Sequence, residues 1–263
     1  ASYRRQRQMC IRDRSGIEKV QLKGAWQFTI VWSLILLLWT IGLGQEGEWR
    51  SYGSDLASTK YAPHNQITAS NAHLLKNRWR WQSLDKPYLD ADPNLWTWRY
   101  EATPIMVNGV LYVSTSLSQV AAIDALTGHT IWTYEPLSFI SGSPPNNGFL
   151  HRGVTYWENN GDRRIFIGTG DAYLIALNAD TGAPIETFGD KGRVDLTEGL
   201  RREVSRLQYG VSSPPIVVRD VLIVGASIWD YPIDSHMAPG DVRGFDPITG
   251  ETKWIFESIP QGK

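Results

Sequence analysis

Ala122-Ile123-Asp124-Ala125-Leu126-Thr127-Gly128-His129-Thr130-Ile131-Trp132 is the stretch that decides the fold, because the chain repeats it twice. A weaker copy runs Ala176-Leu177-Asn178-Ala179-Asp180-Thr181-Gly182-Ala183-Pro184-Ile185-Glu186, and a strong one runs Gly244-Phe245-Asp246-Pro247-Ile248-Thr249-Gly250-Glu251-Thr252-Lys253-Trp254. In each copy an apolar strand end meets Asp or Asn, whose side chain can bond its own backbone. Thr-Gly follows three positions later, Gly supplying the positive φ of a tight turn, and a second strand begins. One such stretch means only a hairpin. Three copies in phase, two of them closed by Trp, mean a radial or stacked array of hairpins rather than one sandwich.

The stretches around the repeats read as further strands. Thr103-Pro104-Ile105-Met106-Val107, Asn108-Gly109 and Val110-Leu111-Tyr112-Val113 form a hairpin pattern, Asn-Gly between apolar runs being a strong hairpin signal. The outline recurs from Ser213 to Val224, and Ile165-Phe166-Ile167-Gly168-Thr169 is the middle version. Trp79-Arg80-Trp81 alternates apolar and charged residues and reads as the first strand. Asp85 to Arg99 has no periodicity and reads as a long loop, which in a compact domain is commonly functional. After Gly44 the single helix candidate is Leu196 to Leu207. The chain is therefore predicted to be all-β.

With 263 residues there is room for one large β domain. The net charge of -1 gives no electrostatic case for nucleic acid, which is set aside as a partner. Cys10 is the sole cysteine, so there is neither a disulfide nor a thiolate metal site. Residues 1–15 are Arg-rich, and Met9-Cys10-Ile11-Arg12-Asp13-Arg14 resembles a translated sequencing-library adaptor; the segment is excluded from the fold. Residues 16–45 carry Lys19 and Lys23 ahead of an apolar run from Ala25 to Gly44, which fits both an uncleaved membrane anchor and a cleaved signal peptide. Both readings place residues 46–263 across a membrane, in the periplasm or anchored facing it.

The spacing of the three repeats resembles the tryptophan-docking repeat of pyrroloquinoline quinone (PQQ) dehydrogenases. The resemblance runs from about Trp49 to the end of the chain. It implies an eight-bladed β-propeller in which each repeat's Trp docks on the neighbouring blade, and of which this chain holds about three blades. Trp132 and Trp254 match the docking position, whereas Glu186 replaces it in the middle copy.

The resemblance also assigns a site. Glu101 and Arg152 match cofactor-contacting positions, Ser212 and Ser227 match hydroxyl or backbone contacts, and Asp230 falls where the family supplies an acidic calcium ligand. Each charge alone reads as a solvated loop residue. The segment Ser143-Pro144-Pro145-Asn146-Asn147-Gly148-Phe149-Leu150 has no cysteine, whereas the alcohol-oxidising branch places a vicinal disulfide there. This departure, Asp at position 230 and the segment His151-Arg152-Gly153-Val154-Thr155-Tyr156 favour the glucose dehydrogenase-like branch. The implied function is oxidation of a sugar or alcohol hydroxyl with PQQ and calcium, electrons passing to ubiquinone or a cytochrome. The family's general-base Asp is expected beyond Lys263, so the chain alone is expected to be inactive. The alternative is a non-catalytic propeller scaffold of the cell envelope, which would predict a lipidated Cys after the apolar segment.

Overall fold

The computed structural model describes residues 48–260, apart from Leu56, Asn147 and 232–235. The two N-terminal segments discussed above lie outside these residues. Among the described residues no helix is long and apolar enough to cross a membrane.

Among the described residues twelve strands form three antiparallel four-stranded sheets, each in sequential order. The first contains β1 (Ile105–Val107), β2 (Val110–Ser114), β3 (Val120–Asp124) and β4 (Thr130–Tyr134). The second contains β5 (Thr155–Asn159), β6 (Asp162–Gly168), β7 (Tyr173–Asn178) and β8 (Arg193–Asp195). The third contains β9 (Ile216–Val218), β10 (Val221–Val224), β11 (Val242–Phe245) and β12 (Thr252–Phe256). Asn108 and Gly109 both take positive φ between β1 and β2, as a two-residue hairpin with strand-matching twist requires.

The repeated turns share one construction. The side chain of Asp124 accepts from the Thr127 amide at 2.7 Å, that of Asn178 from the Thr181 amide at 3.0 Å, and that of Asp246 from the Thr249 amide at 3.0 Å. Gly128, Gly182 and Gly250 follow at φ of 74°, 73° and 80°, and each donates its N–H to the carbonyl of that Asp or Asn. The bonds from Thr127, side chain and amide, hold the Asp124 carboxyl below its ordinary pKa.

Side-chain alternation puts the two faces of each strand into different cores. Ile165 and Ile167 of β6 face a cluster with Ile105, Tyr112, Val120 and Trp132 of the first sheet. Phe166, between them, faces Phe188, Tyr209, Leu222, Val224 and Phe245 on the side of the third sheet. The sheets thus stack face to face through two apolar layers, which is why the strands of the middle sheet read as nearly continuous hydrophobic runs.

Indole rings lock the outer rim. Trp132 of β4 donates Nε1–H to the carbonyl of Ala179 at 2.9 Å and covers Gly182, where a Cβ would stand 2.5 Å from the ring. Trp79 does the same one sheet earlier, donating to Ala125 at 3.1 Å and covering Gly128. Trp79-Arg80-Trp81 is therefore not a strand; the indole of Trp81 bonds the Thr130 hydroxyl at 3.0 Å, and the segment uses its side chains rather than its backbone to attach. Between the second and third sheets, where Glu186 removes the indole, Phe188 and Val194 approach Gly250 instead. The buried Arg164 guanidinium supplies the missing donors, to the carbonyls of Pro247 at 3.0 Å and Ile248 at 2.8 Å. Trp254 lies over Gly244 of its own sheet and is partly exposed.

Two further expectations are corrected. Leu196 to Leu207 is not a helix: Gly199 has φ of 71°, and the carbonyls of Leu196 and Glu198 accept from the buried Arg243 rather than from the following turns. A short 3-10 turn, Arg206–Gln208, capped by Ser205, is all that forms. The stretch from Asp85 to Arg99 is not wholly loop, since α1 (Lys86–Ala91) starts it, with Pro in its first turn and a Lys86–Asp90 ion pair. Its six residues are too few for a helical period to show. Asp85 fixes this segment to the first sheet, accepting from the Gln119 amide at 2.8 Å and the Leu117 N–H at 3.2 Å.

Docking on Gly182 makes a specific stability prediction. Gly161, also at positive φ, has open space where a Cβ would go. Gly161→Ala should cost roughly 1–2 kcal/mol for the left-handed backbone alone. Gly182→Ala should cost roughly 1–3 kcal/mol more, because the methyl group collides with the Trp132 ring. Urea unfolding of both variants checks this; equal losses would show that the indole does not clamp the turn.

Candidate functional site

At the end of the sheets opposite the Thr-Gly turns, the segments leading into β1, β5 and β9 run side by side. Thr103 donates its N–H to the Arg152 carbonyl at 3.0 Å, and Arg152 donates its own to the Ser212 carbonyl at 2.9 Å. Gly153 permits this lacing: it sits at φ of 150°, and a Cβ would stand 3.2 Å from the Thr103 carbonyl oxygen. Backbone bonds thereby bring one residue from the lead-in of each sheet to a common point.

The side chains follow. Arg152 pairs through Nε with Glu101 at 3.2 Å and donates through Nη1 to the Ser212 hydroxyl at 3.0 Å. Both members of the ion pair are about 30% exposed, so the pair faces solvent while its geometry is fixed from behind. Arg99 approaches Glu101 from the other side at 3.5 Å. Glu101 lies four residues before β1.

Beside this cluster is a cleft of about 250 Å³ lined by Ser212, Ser213, Pro214, Ser227, Asp230 and Asn146, among others. Ser227 is held by two backbone bonds with Gly210, at 3.0 and 2.7 Å. β10 stops at Val224, short of Asp230, and Ser227 beyond it pairs with Gly210 rather than extending the strand. Asp230 instead sits on a loop, its N–H donating to the Asn146 side-chain oxygen at 2.8 Å while the Asn146 amide donates to the Ile228 carbonyl. Among the described residues, Asp230 is the single carboxylate that lines the cleft. No group of three or more His, Cys, Asp or Glu suited to a metal ion occurs among the described residues.

The five residues predicted from sequence thus fall in two adjoining groups: Glu101, Arg152 and Ser212 in the ionic cluster, and Ser212, Ser227 and Asp230 on the cleft. Sequence reading missed two others. Asn146 was passed over within a Pro- and Asn-rich loop, although its Asn-Asn-Gly context marks a left-handed turn, and its φ is 60°. His151 adjoins Arg152 and is almost fully buried. Its Nε2 lies 2.7 Å from the Gly168 carbonyl, which can only accept, so Nε2 carries the proton. Nδ1 then accepts from the Ser114 hydroxyl at 2.8 Å and the Gly153 N–H at 3.3 Å. Burial lowers the His151 pKa to about 4; the neighbouring Arg152 charge acts in the same sense, and the bond to Gly168 opposes them.

Comparison with known proteins identifies the family. Residues 49–263 match the family described as PQQ: glucose/ethanol/alcohol dehydrogenase, beta-propeller domain. The chain belongs to that family. It is 33% identical over 224 residues to a quinoprotein glucose dehydrogenase of Escherichia coli (strain K12), covering 80% of this chain and 27% of that protein. It is 32% identical over 220 residues to the dehydrogenase subunit of a quinone alcohol dehydrogenase of Gluconacetobacter polyoxogenes, covering 82% and 26%. Among solved structures, the quinohemoprotein alcohol dehydrogenase of Comamonas testosteroni matches with a TM-score of 0.65 at 29% identity, covering 85% of this chain and 29% of that one. The chain therefore spans about a quarter of the length of the curated relatives it matches.

His151 generates a pH prediction. The unfolded chain takes up the proton near the ordinary histidine pKa of about 6.5, and the folded chain only near 4, so stability is lost as pH falls through that window. The loss amounts to about 3 kcal/mol by proton linkage. Urea unfolding of the wild type and His151→Gln between pH 7 and pH 4 measures it. The variant should show a shallower decline, and parallel curves would remove His151 from the account.

Proposed function

We propose that this chain contributes three blades of an eight-bladed, PQQ-dependent dehydrogenase that oxidises a sugar or alcohol hydroxyl in the periplasm or on a membrane facing it. The observation that carries the reading is the Glu101–Arg152–Ser212 cluster, assembled from three sheets beside a cleft that holds Asp230.

The residues present fit the cofactor by the chemistry of their donors. A planar tricarboxylate needs cationic and hydroxyl donors at its rim, and Arg152 with the hydroxyls of Ser212, Ser213 and Ser227 supplies both kinds. The open space at Gly225, where a Cβ would meet nothing within 4 Å, leaves the cleft wall clear for a flat ligand. Calcium takes oxygen ligands, and the Asp230 carboxylate is of that kind; among the described residues of the cleft the other oxygens are neutral ones. When bound, PQQ supplies the two-electron acceptor for hydride leaving the substrate carbon.

This chain's residues bind and orient. Arg152 keeps a positive charge where negative charge gathers on oxygen, and Glu101 restrains the guanidinium so that its direction is set before the reaction. Ser212 accepts from Arg152, which leaves its own O–H free to donate toward the cleft. Asn146 holds the Asp230 backbone and so sets the position of its carboxylate. Proton abstraction from the substrate hydroxyl falls to a further carboxylate on this reading, since Asp230 is assigned to the cation. Asp at position 230 and the lack of cysteine in residues 143–150 favour the glucose dehydrogenase-like branch, with a quinone or a cytochrome as electron acceptor. A scaffold would have no use for an ion pair gathered at the meeting point of three sheets.

Two outcomes test the reading. The 263-residue chain supplied with PQQ and calcium should show only background dye-linked oxidation of glucose or ethanol, and clear turnover would mean that the base lies within it. In the complete dehydrogenase, Asp230→Ala should weaken PQQ retention, and excess calcium should partly restore it. A merely solvated Asp230 would shift stability by less than about 0.5 kcal/mol and leave the calcium titration superimposable on that of the wild type.

A further inference from the structure

We propose that His151 is a positioning residue that sets the direction of Arg152 by pinning the junction of the first two sheets; the inference rests on the cofactor reading of Arg152 given above. The geometry is specific. One ring carries three bonds to two sheets: to Ser114 at the end of β2 in the first, to Gly168 at the end of β6 in the second, and to Gly153 within its own segment. The following residue is Arg152 and the next is Gly153, where a Cβ would stand 3.2 Å from the Thr103 carbonyl oxygen of the first sheet's lead-in.

A packing role alone would be met by an apolar residue of similar size. Imidazole is instead placed so that each nitrogen serves a different sheet, and the neutral ring with its proton on Nε2 is the one form that satisfies all three partners. Loss of the Nδ1 acceptor would leave the Ser114 hydroxyl and the Gly153 N–H without this partner and loosen the second sheet's lead-in from the first. Arg152 rides on that lead-in, and its contacts with Glu101 on one side and Ser212 on the other both span sheets. A loosened junction therefore turns the guanidinium even though no atom of His151 meets a ligand.

The test uses the complete apo-dehydrogenase, titrated with PQQ in the presence of calcium and followed by tryptophan fluorescence, with circular dichroism confirming the fold of each variant. His151→Gln keeps a donor toward Gly168 but loses the Nδ1 acceptor, and should bind PQQ about tenfold more weakly. His151→Asn retains an oxygen near the Nδ1 position and should recover most of that loss. Because His151 acts through Arg152, adding His151→Gln to Arg152→Ala should bring no further loss of affinity. Unchanged affinity in a folded His151→Gln, or full additivity with Arg152→Ala, overturns the inference. Should His151→Gln fail to fold, Ser114→Ala removes only the hydroxyl donor and should still weaken binding severalfold, and an unaffected affinity there overturns the inference equally. Failure of the wild type to bind PQQ would instead sink the cofactor reading, and the inference with it.

Discussion

At the rim the first two sheets depend on one kind of bond, an indole N–H given to a carbonyl of a repeated turn. Trp79 and Trp132 make this bond to Ala125 and Ala179, with the ring seated on Gly128 and Gly182. The turn needs Gly twice over, for its positive φ and for the flat ring above it. A side chain at that position would both strain the backbone and displace the indole. The contact fixes the spacing of adjacent sheets at the rim, and the backbone bonds among Thr103, Arg152 and Ser212 fix it at the other end. Two fixed ends leave the sheets little freedom of relative tilt.

The middle repeat shows that the constraint is on the contact rather than on the residue. With Glu186 where Trp would stand, the chain reaches the third turn with Phe188 for area and with Arg164 for hydrogen bonds. Arg164 is buried, and its charge is tolerated because Asp162 pairs with it and two carbonyls accept its protons. The same accounting holds where the first two sheets turn from their second to third strands. The hydroxyls of Thr115 and Thr169 accept from the N–H groups of Gln119 and Tyr173, so buried backbone ends are satisfied without water.

Much of this could be read in the sequence because the repeats are local. Asp124, Thr127 and Gly128 act on one another within five residues, so their pattern survives in the linear text. The Asn108-Gly109 turn and the alternating faces of β6 survive for the same reason. Trp79 was misread because its role is set by Ala125, 46 residues away, and nothing beside it says that its backbone stays unpaired. Leu196 to Leu207 suggested a helix because the competitor for its carbonyls, Arg243, is likewise distant. The family resemblance singled out Glu101, Arg152 and Asp230, but Asn146 showed only the turn signal of its Asn-Asn-Gly context and His151 carries no local mark at all. Their importance comes only from what the fold sets against them.

The charges gathered at the site constrain what it can hold. With Arg99 counted beside the two adjoining groups, Arg99 and Arg152 are set against Glu101 and Asp230, and these side chains sum to no net charge. Arg152 is already engaged by Glu101, which lowers the attraction it can offer another anion. On the proposed reading a ligand with three carboxylates would therefore bring its own negative charge into a site that does not neutralise it, at a cost that rises as water is excluded. A divalent cation held by Asp230 removes that excess where it arises, and it does so with oxygen ligands the ligand can share. Cation and organic cofactor would then depend on each other for retention, and Asp230, the exposed acidic residue among the described residues of the cleft, would be the place where that dependence is set.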